Sequence, residues 1–185
     1  APITELSGKT LGIIGIGRIG QAFARIGAAM GMTIIAHDEF PPTDEALNGL
    51  NVTYSDMDTV FSKADVISLH CPLTELTKHL VNERRLALMK PDSILINTSR
   101  GPLVDNEALA AALNSYQIGG AGLDVLDVEP PPADNPLITA KNCIITPHIS
   151  WYSKASRQRL MDIAVSNLLV VFVLNATVWS SCDLI

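Results

Sequence analysis

Four side chains able to bind anions or move protons stand just after strand-like runs. Arg100 follows "SILINT", and Asp124 lies near the end of "GGAGLDV". Glu129 comes in the next loop, and His148 directly follows "CIITP". A guanidinium suits bidentate recognition of a carboxylate, and a histidine near a carboxylate can act as a general acid or base. Because a lone arginine or histidine at such a place is more often a surface residue, the pattern gains weight only if these side chains converge.

A glycine-rich motif of the form GxGxxG occupies residues 15–20. It ends one strand-like run and opens a helical one, which is the context that a dinucleotide-binding turn requires. Gly15 permits the tight turn, Gly17 lets the backbone approach a pyrophosphate, and Gly20 lets the helix pack closely on the strand. The helix N-terminus then offers free N–H groups and a positive dipole end to the diphosphate.

Asp38 stands 18 residues after Gly20, at the end of the second strand-like run. A carboxylate there can accept hydrogen bonds from both hydroxyls of an adenine ribose and would repel a 2′-phosphate, which favours NAD over NADP. The motif could also serve FAD or S-adenosylmethionine, although FAD enzymes usually carry more chain and methyltransferase glycine spacing is looser. The plain alternative is a glycine-rich turn with Asp38 as a surface cap.

Strand-like and helical segments alternate along the whole chain. We predict strands at 10–15, 33–38, 52–55, 65–71, 93–98, 119–125 and 143–147. We predict helices at 18–32, 56–64, 82–90, 105–115 with Asp105 as N-cap, and about 153–174. This alternation predicts an α/β fold with a doubly wound parallel (Rossmann) sheet and right-handed crossovers. Ligands bind at the carboxyl edge of such sheets, so the glycine-rich loop and the four side chains are predicted to share one edge.

Composition indicates one globular domain spanning residues 1–185, with an atypical tail after about residue 175. The net charge of −6 and the lack of a basic run argue against nucleic-acid binding. The longest apolar run, 168–174, is far shorter than the roughly 20 residues of a membrane span. With no signal-peptide pattern in "APITELSGKT", we expect a soluble cytoplasmic protein. Its widely spaced cysteines are predicted to be reduced: Cys71, Cys143 and Cys182.

Five segments resemble the NAD-binding domain of the D-isomer-specific 2-hydroxyacid dehydrogenases. They are "LSGKTLGIIGIGRIGQ", "SLHCPLTELTKHLVN", "MKPDSILINTSRGPLVDNEAL", "GAGLDVLDVEPP" and "NCIITPHISW". They occur in the family's order and spacing over about residues 5 to 170. Trp151 favours the glycerate dehydrogenase branch, which includes hydroxypyruvate and glyoxylate reductases.

The resemblance implies an NAD-dependent oxidoreductase that acts on a small D-2-hydroxy acid or 2-keto acid, such as glyoxylate or hydroxypyruvate. His148 would be the general acid or base, and Glu129 would hydrogen-bond its imidazole. Arg100 would hold the carboxylate of the substrate and polarise its carbonyl group. No metal ligand is assigned.

The resemblance also implies a set of NAD contacts. Arg18 and Ile19 would lie at the pyrophosphate, and Asp124 would bind the nicotinamide carboxamide. Cys71 and Pro72, with Thr77 nearby, would line the adenosine side, Cys71 as a small apolar wall rather than a redox thiol. The cofactor-binding residues are therefore Gly15, Gly17, Arg18, Ile19, Gly20, Asp38, Cys71, Pro72, Thr77, Thr98, Ser99, Asp124 and Ser150, with Thr98 and Ser99 under the nicotinamide ribose.

The sequence departs from the family at several places. The family inserts this domain into a substrate domain, whereas this chain begins just before the first strand and ends in "LNATVWSSCDLI", without the usual glycine and proline. We therefore expect this chain alone to bind NAD(H) but to reduce hydroxypyruvate or glyoxylate poorly or not at all. Ser150 replaces an alanine or glycine. Tyr116 stands where glycine often caps the helix. We therefore predict that the turn there is strained or has a different backbone conformation.

Two other functions stay open at this point. The chain could be a non-catalytic NAD-binding sensor or interaction module, or an engineered stand-alone domain. An upstream half-domain in the parent gene would favour the enzyme, and absent NAD binding would favour the last reading. Family members dimerise through this domain, so we expect a homodimer. The apolar run 168–174 gives a separate reason to expect a partner, unless it is ordinary core.

Overall fold

The computed structural model describes residues 4–180. These residues form two compact units, one ending at Pro147 and one starting at His148. The prediction of a single domain over the whole chain stays a prediction. Cys182 and the last residues of the predicted atypical tail lie outside the described part.

The first unit is built on a parallel sheet of seven strands. They are β1 (Thr10–Ile14), β2 (Thr33–His37), β3 (Thr53–Tyr54), β4 (Val66–Leu69), β5 (Ile94–Asn97), β6 (Gly120–Leu123) and β7 (Cys143–Ile145). Their order in the sheet is β3-β2-β1-β4-β5-β6-β7, so the strand order reverses between β1 and β4. The predicted doubly wound sheet is confirmed, and its switch point lies where the glycine-rich loop leaves β1.

Helices connect the strands of this sheet. They are α1 (Arg18–Ala29), α2 (Asp44–Leu47), α3 (Met57–Lys63), α4 (Glu83–Leu86) and α5 (Asn106–Asn114), with 3-10 turns at Gly101–Leu103 and Pro136–Thr139. Asp105 is the N-cap of α5, as predicted, and accepts a hydrogen bond from the Ala108 N–H at 3.1 Å. The helix predicted at 82–90 already ends at Leu86. The N–H groups of Leu88 and Met89 bond to the carbonyl oxygens three residues earlier, those of Arg85 and Leu86, so 3-10-type turns replace the α-helix before Pro91.

The strands bury side chains on both faces of the sheet, as parallel strands with a helix layer on each side do. Leu11 and Ile13 of β1 belong to the cluster that includes Ala24 of α1. Ile14 belongs to the larger cluster that contains the buried apolar residues of α3 and α5. Gly12 faces α3, and a Cβ at this position would lie 2.7 Å from the Cβ of Ala64. The core therefore fixes β1, and with it the start of the glycine-rich loop.

The turn after α5 is left-handed even though its residue is tyrosine. Tyr116 has a φ of 57°. The Gln117 N–H bonds to the Ala112 carbonyl oxygen at 2.9 Å, and the Tyr116 N–H bonds to that of Leu113 at 3.1 Å, which is a Schellman motif. The Lys141 ammonium lies 4.4 Å from the centroid of the Tyr116 ring. The predicted strain therefore lies in the left-handed φ of Tyr116, and a cation–π contact with Lys141 accompanies it.

The second unit contains one long helix, α6 (Lys154–Ser180). The Ser153 hydroxyl caps its start by accepting the Ser156 N–H at 3.1 Å. The apolar side chains at 168–171 are each more than half exposed. This exposure does not match the interpretation of that run as ordinary core. No helix in the described part of the chain is long and apolar enough to cross a membrane.

Candidate functional site

The glycine-rich loop leaves β1 with two crowded glycines and one open glycine. Gly15 has a φ of 90°, and a Cβ there would lie 2.5 Å from the backbone nitrogen of Cys71. A Cβ on Gly20 would clash with the carbonyl oxygen of Gly15. Among the residues that the structure describes, a Cβ on Gly17 would meet nothing within 4 Å, and no side chain caps the start of α1 beside it. The loop thus leaves room and unpaired N–H donors where a diphosphate would bind.

Arg18 and Ile19 form the first turn of α1 beside this open space. Both are exposed, and Ile19 is 72% exposed, which is high for a large apolar side chain. Both therefore lie where a ligand on the loop would reach them. Their predicted contact with a pyrophosphate stays a prediction.

Asp38 lies just past the end of β2 and contacts the same loop. Its Oδ2 atom accepts the Ile16 N–H at 2.7 Å, and its Oδ1 atom accepts the Phe40 N–H at 2.8 Å. Each carboxylate oxygen can accept a second hydrogen bond, so capacity remains for two ribose hydroxyls. The capping alternative is also partly true, because Asp38 caps the turn to Phe40. The residues present therefore fit an adenine ribose.

The loop after β4 lies against the glycine-rich loop. β4 ends at Leu69, two residues earlier than predicted, so Cys71 belongs to the loop and packs on Gly15. Cys71 is buried, and its burial raises the pKa of the thiol to about 11, which keeps it protonated and supports the reading as a wall residue. The Thr77 hydroxyl donates to the carbonyl oxygen of Pro72 at 2.8 Å, so it holds the turn that follows.

His70, in the same loop, is a residue whose position the sequence did not reveal. Its Nε2 atom lies 2.9 Å from the Ser68 hydroxyl, and its ring centroid lies 5.3 Å from that of Phe23 on α1. Burial lowers the pKa of this imidazole to about 4, so it is neutral at physiological pH. His70 therefore packs the glycine-rich helix against the sheet rather than carrying charge.

The loop after β5 carries Thr98, Ser99 and Arg100. The Ser99 hydroxyl donates to the carbonyl oxygen of Cys71 at 2.8 Å, which joins this loop to the one after β4. Arg100 is exposed, and its Nη1 atom donates to the Ser99 carbonyl oxygen at 2.7 Å. None of the ion pairs in the described part of the chain includes Arg100. Its charge is therefore available to an anionic ligand, and the salt-bridge alternative gains no support.

The loop after β6 carries the two acids. Asp124 is 4% exposed, its backbone N–H bonds to the Asn97 carbonyl oxygen at 2.9 Å, and its Oδ1 atom accepts the Thr146 hydroxyl at 2.5 Å. Glu129 accepts the Leu126 N–H at 3.1 Å, which closes the loop on itself. Gly101 packs against this loop so closely that a Cβ would clash with the Leu126 carbonyl group. The loops after β5 and β6 are thus in direct backbone contact.

His148 and Ser150 belong to the second unit. His148 has a φ of 54°, and its carbonyl oxygen accepts the Trp151 indole N–H at 3.0 Å. The Tyr152 N–H bonds to the Ile149 carbonyl oxygen at 2.9 Å, so Ser150 sits in a tight turn. A left-handed backbone in a non-glycine residue is uncommon and often marks a functional position.

Within the first unit, the loops after β1, β2, β4, β5, β6 and β7 meet at the carboxyl edge of the sheet. Contacts link Ile16 with Asp38, Gly15 with Cys71, Cys71 with Ser99, Gly101 with Leu126, and Asp124 with Thr146. Sequence reasoning missed Asn97, Thr146 and His70, which hold this edge together. Asn97 gave a usable signal, because it is a polar residue ending an otherwise apolar strand.

A family model described as "D-isomer specific 2-hydroxyacid dehydrogenase, NAD binding domain" matches residues 1–150. The chain belongs to this family. The predicted family resemblance and the predicted NAD-binding fold are therefore confirmed.

Individual relatives agree with the family assignment. A hydroxypyruvate reductase from Blautia hydrogenotrophica is 53% identical over 167 residues, which cover 90% of this chain and 51% of that protein. A glycerate dehydrogenase from Methylorubrum extorquens is 45% identical over 169 residues, covering 90% and 51%. A crystal structure of D-lactate dehydrogenase with NAD+ from Lactobacillus jensenii is 38% identical with a TM-score of 0.84, covering 91% and 54%. The chain spans about half the length of the curated relatives it matches.

Proposed function

We propose that this chain is the NAD-binding part of an oxidoreductase that transfers hydride between NAD(H) and a small D-2-hydroxy acid or 2-keto acid. The observation that carries the proposal is the carboxyl edge of the first unit. There an open glycine-rich loop braced by Asp38 shares a connected set of loops with the exposed guanidinium of Arg100. This edge offers both a dinucleotide site and an anion site.

The cofactor would bind along this edge in two halves. The N-terminus of α1, with Gly17, Arg18 and Ile19, would receive the diphosphate, and Asp38 would accept hydrogen bonds from the adenine ribose. Thr98, Ser99, Asp124 and Ser150 would contact the nicotinamide half. When bound, NADH supplies the hydride. The carboxylate of Asp38 favours NAD over NADP, because it would repel a 2′-phosphate.

The substrate would be held by its carboxylate group. Arg100 is exposed and without an ion-pair partner among the described carboxylates, and its planar guanidinium matches a carboxylate in a bidentate geometry. Relatives named hydroxypyruvate reductase and glyoxylate reductase favour hydroxypyruvate or glyoxylate as the 2-keto acid. We propose His148 as the general acid that protonates the substrate carbonyl oxygen, and Glu129 as the carboxylate that fixes its tautomer.

A homodimer and a cytoplasmic location complete the proposal. Exposed apolar side chains at 168–171 of α6 support a protein partner, since contiguous apolar surface commonly marks an interface. Cys71 and Cys143 are free thiols, as expected in a reducing compartment. Sedimentation analysis tests the dimer: a monomer at micromolar concentration would contradict it.

NADH titration by fluorescence tests the cofactor half of the proposal. We expect saturable binding of NADH and weaker binding of NADPH. Single-turnover oxidation of bound NADH by hydroxypyruvate, with the chain in excess, tests the catalytic half. We expect slow oxidation that is abolished by Arg100→Ala and by His148→Asn, while NADH binding persists in both variants. Absence of NADH binding would overturn the proposed function, and oxidation indifferent to both substitutions would overturn the assigned roles.

A further inference from the structure

Asn97 is the last residue of β5 and is fully buried. Both the oxygen and the nitrogen of its side-chain amide make hydrogen bonds. The Oδ1 atom accepts the Ser99 N–H at 3.0 Å, and the Nδ2 atom donates to the Arg100 carbonyl oxygen at 2.9 Å. One buried side chain thus binds the backbone of two residues in the loop that follows it.

This arrangement explains why an asparagine ends an apolar strand. A buried backbone N–H or carbonyl group without a partner destabilises the fold, so a loop leaving a buried strand needs local partners. Asparagine supplies them by imitating a backbone turn, with its carbonyl oxygen reaching the N–H two residues later. The Ser99 N–H has the Asn97 side chain as its acceptor, and the Arg100 carbonyl also accepts the Leu103 N–H at 3.3 Å.

The backbone of Asn97 extends the same set of bonds to a second loop. Its carbonyl oxygen accepts the Asp124 N–H at 2.9 Å. Ser99, held by the asparagine side chain, in turn donates its hydroxyl to the Cys71 carbonyl oxygen. Asn97 is therefore bonded directly to three residues that the proposed function assigns to ligands: Ser99, Arg100 and Asp124.

We propose that Asn97 is a positioning residue for the nicotinamide half of the site. It fixes the loop 98–100 and its link to Asp124 while its own side chain, completely buried, touches neither cofactor nor substrate. This inference rests on the proposed function. It separates the site into two halves, because in the part of the chain that the structure describes Asn97 makes hydrogen bonds to Ser99, Arg100 and Asp124 but none to Asp38 or the glycine-rich loop. Loss of the Asn97 amide should therefore affect the nicotinamide end of NADH and spare the adenosine end.

The test compares NADH with ADP-ribose, which lacks the nicotinamide, as ligands of the full chain. For Asn97→Ala we expect NADH affinity to fall about tenfold or more, while ADP-ribose affinity changes less than about twofold. Leu95→Ala is the matched control. Leu95 lies on the same strand and the same face and is equally buried, but its apolar side chain cannot hydrogen-bond to the loop. It should lower the free energy of unfolding and leave both affinities unchanged.

Asn97→Ser is uncharged and can still accept the Ser99 N–H, since serine makes the same kind of turn more weakly, but its short side chain cannot bond to both Ser99 and Arg100. We expect it to retain more NADH affinity than Asn97→Ala, and it replaces that variant if the alanine form does not fold. Equal loss of NADH and ADP-ribose affinity, or no loss of either, would overturn the positioning role. Failure of the unaltered chain to bind either ligand would instead overturn the proposed function itself, and the inference with it.

Discussion

The Oδ2 atom of Asp38 accepts the backbone N–H of Ile16 at 2.7 Å, so the acid at the end of β2 braces the glycine-rich loop. The same carboxylate keeps acceptor capacity for a ribose. Asp38 thus has two tasks that one substitution would disturb together. Titration with both NADH and NADPH distinguishes these two roles. A distorted loop weakens the binding of both cofactors, whereas a lost ribose contact weakens the binding of NADH only.

We expect Asp38→Ala to weaken NADH binding about tenfold or more, because two ribose hydrogen bonds to a charged group are lost. NADPH binding should weaken less or improve, since repulsion of the 2′-phosphate disappears. Fluorescence titration with both cofactors measures the ratio. Glu39→Ala, which removes the neighbouring acid, is the control and should change neither value. If both cofactors weaken equally, Asp38 acts only as a brace.

The glycines at 17 and 20 should respond oppositely to the same substitution. Gly17→Ala should leave the free energy of unfolding nearly unchanged, because its φ of −65° suits alanine and the added methyl group meets nothing. NADH affinity should nevertheless fall about tenfold or more, since the methyl group occupies the place of the diphosphate.

Gly20→Ala should instead destabilise the fold by about 1–3 kcal/mol, because its methyl group meets the Gly15 carbonyl oxygen and α1 must move. Urea denaturation and NADH titration of both variants check the pair. A strongly destabilised Gly17→Ala, or a Gly20→Ala as stable as the unaltered chain, would contradict the packing described for this loop.

The sequence predicted the alternation of strands and helices and the position of the glycine-rich loop because both follow from local patterns. Apolar runs such as "TLGII" are long enough to mark buried strands, and GxGxxG between strand and helix has few other uses. It could not predict the partners of buried polar residues. The contact of Asn97 with Arg100 depends on a loop conformation, and that of Asp124 with Thr146 depends on the pairing and register of β6 and β7. The ends of short helices such as α4 also escaped prediction, since tight turns replaced the pattern of the regular helix.

His70 should make the stability of the first unit pH-dependent. Its pKa in the folded chain is lowered to about 4 from an ordinary value of 6.5 by burial. As pH falls below 6.5 the unfolded chain takes up this proton and the folded chain does not, so stability is complete above 6.5 and declines toward pH 4. The decline should reach about 2–3 kcal/mol.

Urea denaturation between pH 4 and 8 measures this decline. His70→Gln should flatten the curve over that window, because glutamine can still bond to Ser68 but does not titrate. His79→Asn removes an exposed histidine with a left-handed backbone that asparagine tolerates, and it should keep the pH dependence. A curve unchanged by His70→Gln would assign the pH dependence to other groups.

Tyr116 offers a test of backbone strain away from the site. With φ at 57°, Tyr116→Val should destabilise the chain by about 1–2 kcal/mol, because β-branched residues fit a left-handed conformation poorly. Tyr116→Gly should stay within about 1 kcal/mol of the unaltered chain, since relief of strain offsets the lost contact with Lys141. Thermal unfolding followed by circular dichroism ranks the variants. A valine variant as stable as the glycine one would disprove the strain.

The contact between Gly101 and the Leu126 carbonyl group limits how this protein can be recombined with its relatives. No side chain fits between the two loops, so their backbones must have matching shapes. A chimaera whose crossover falls between β5 and β6 would combine these two loops from different proteins, and their backbones would not match in shape. Residues 97–130 should therefore be exchanged as one block, and a library built on that rule should yield more folded members than one whose crossovers fall between β5 and β6.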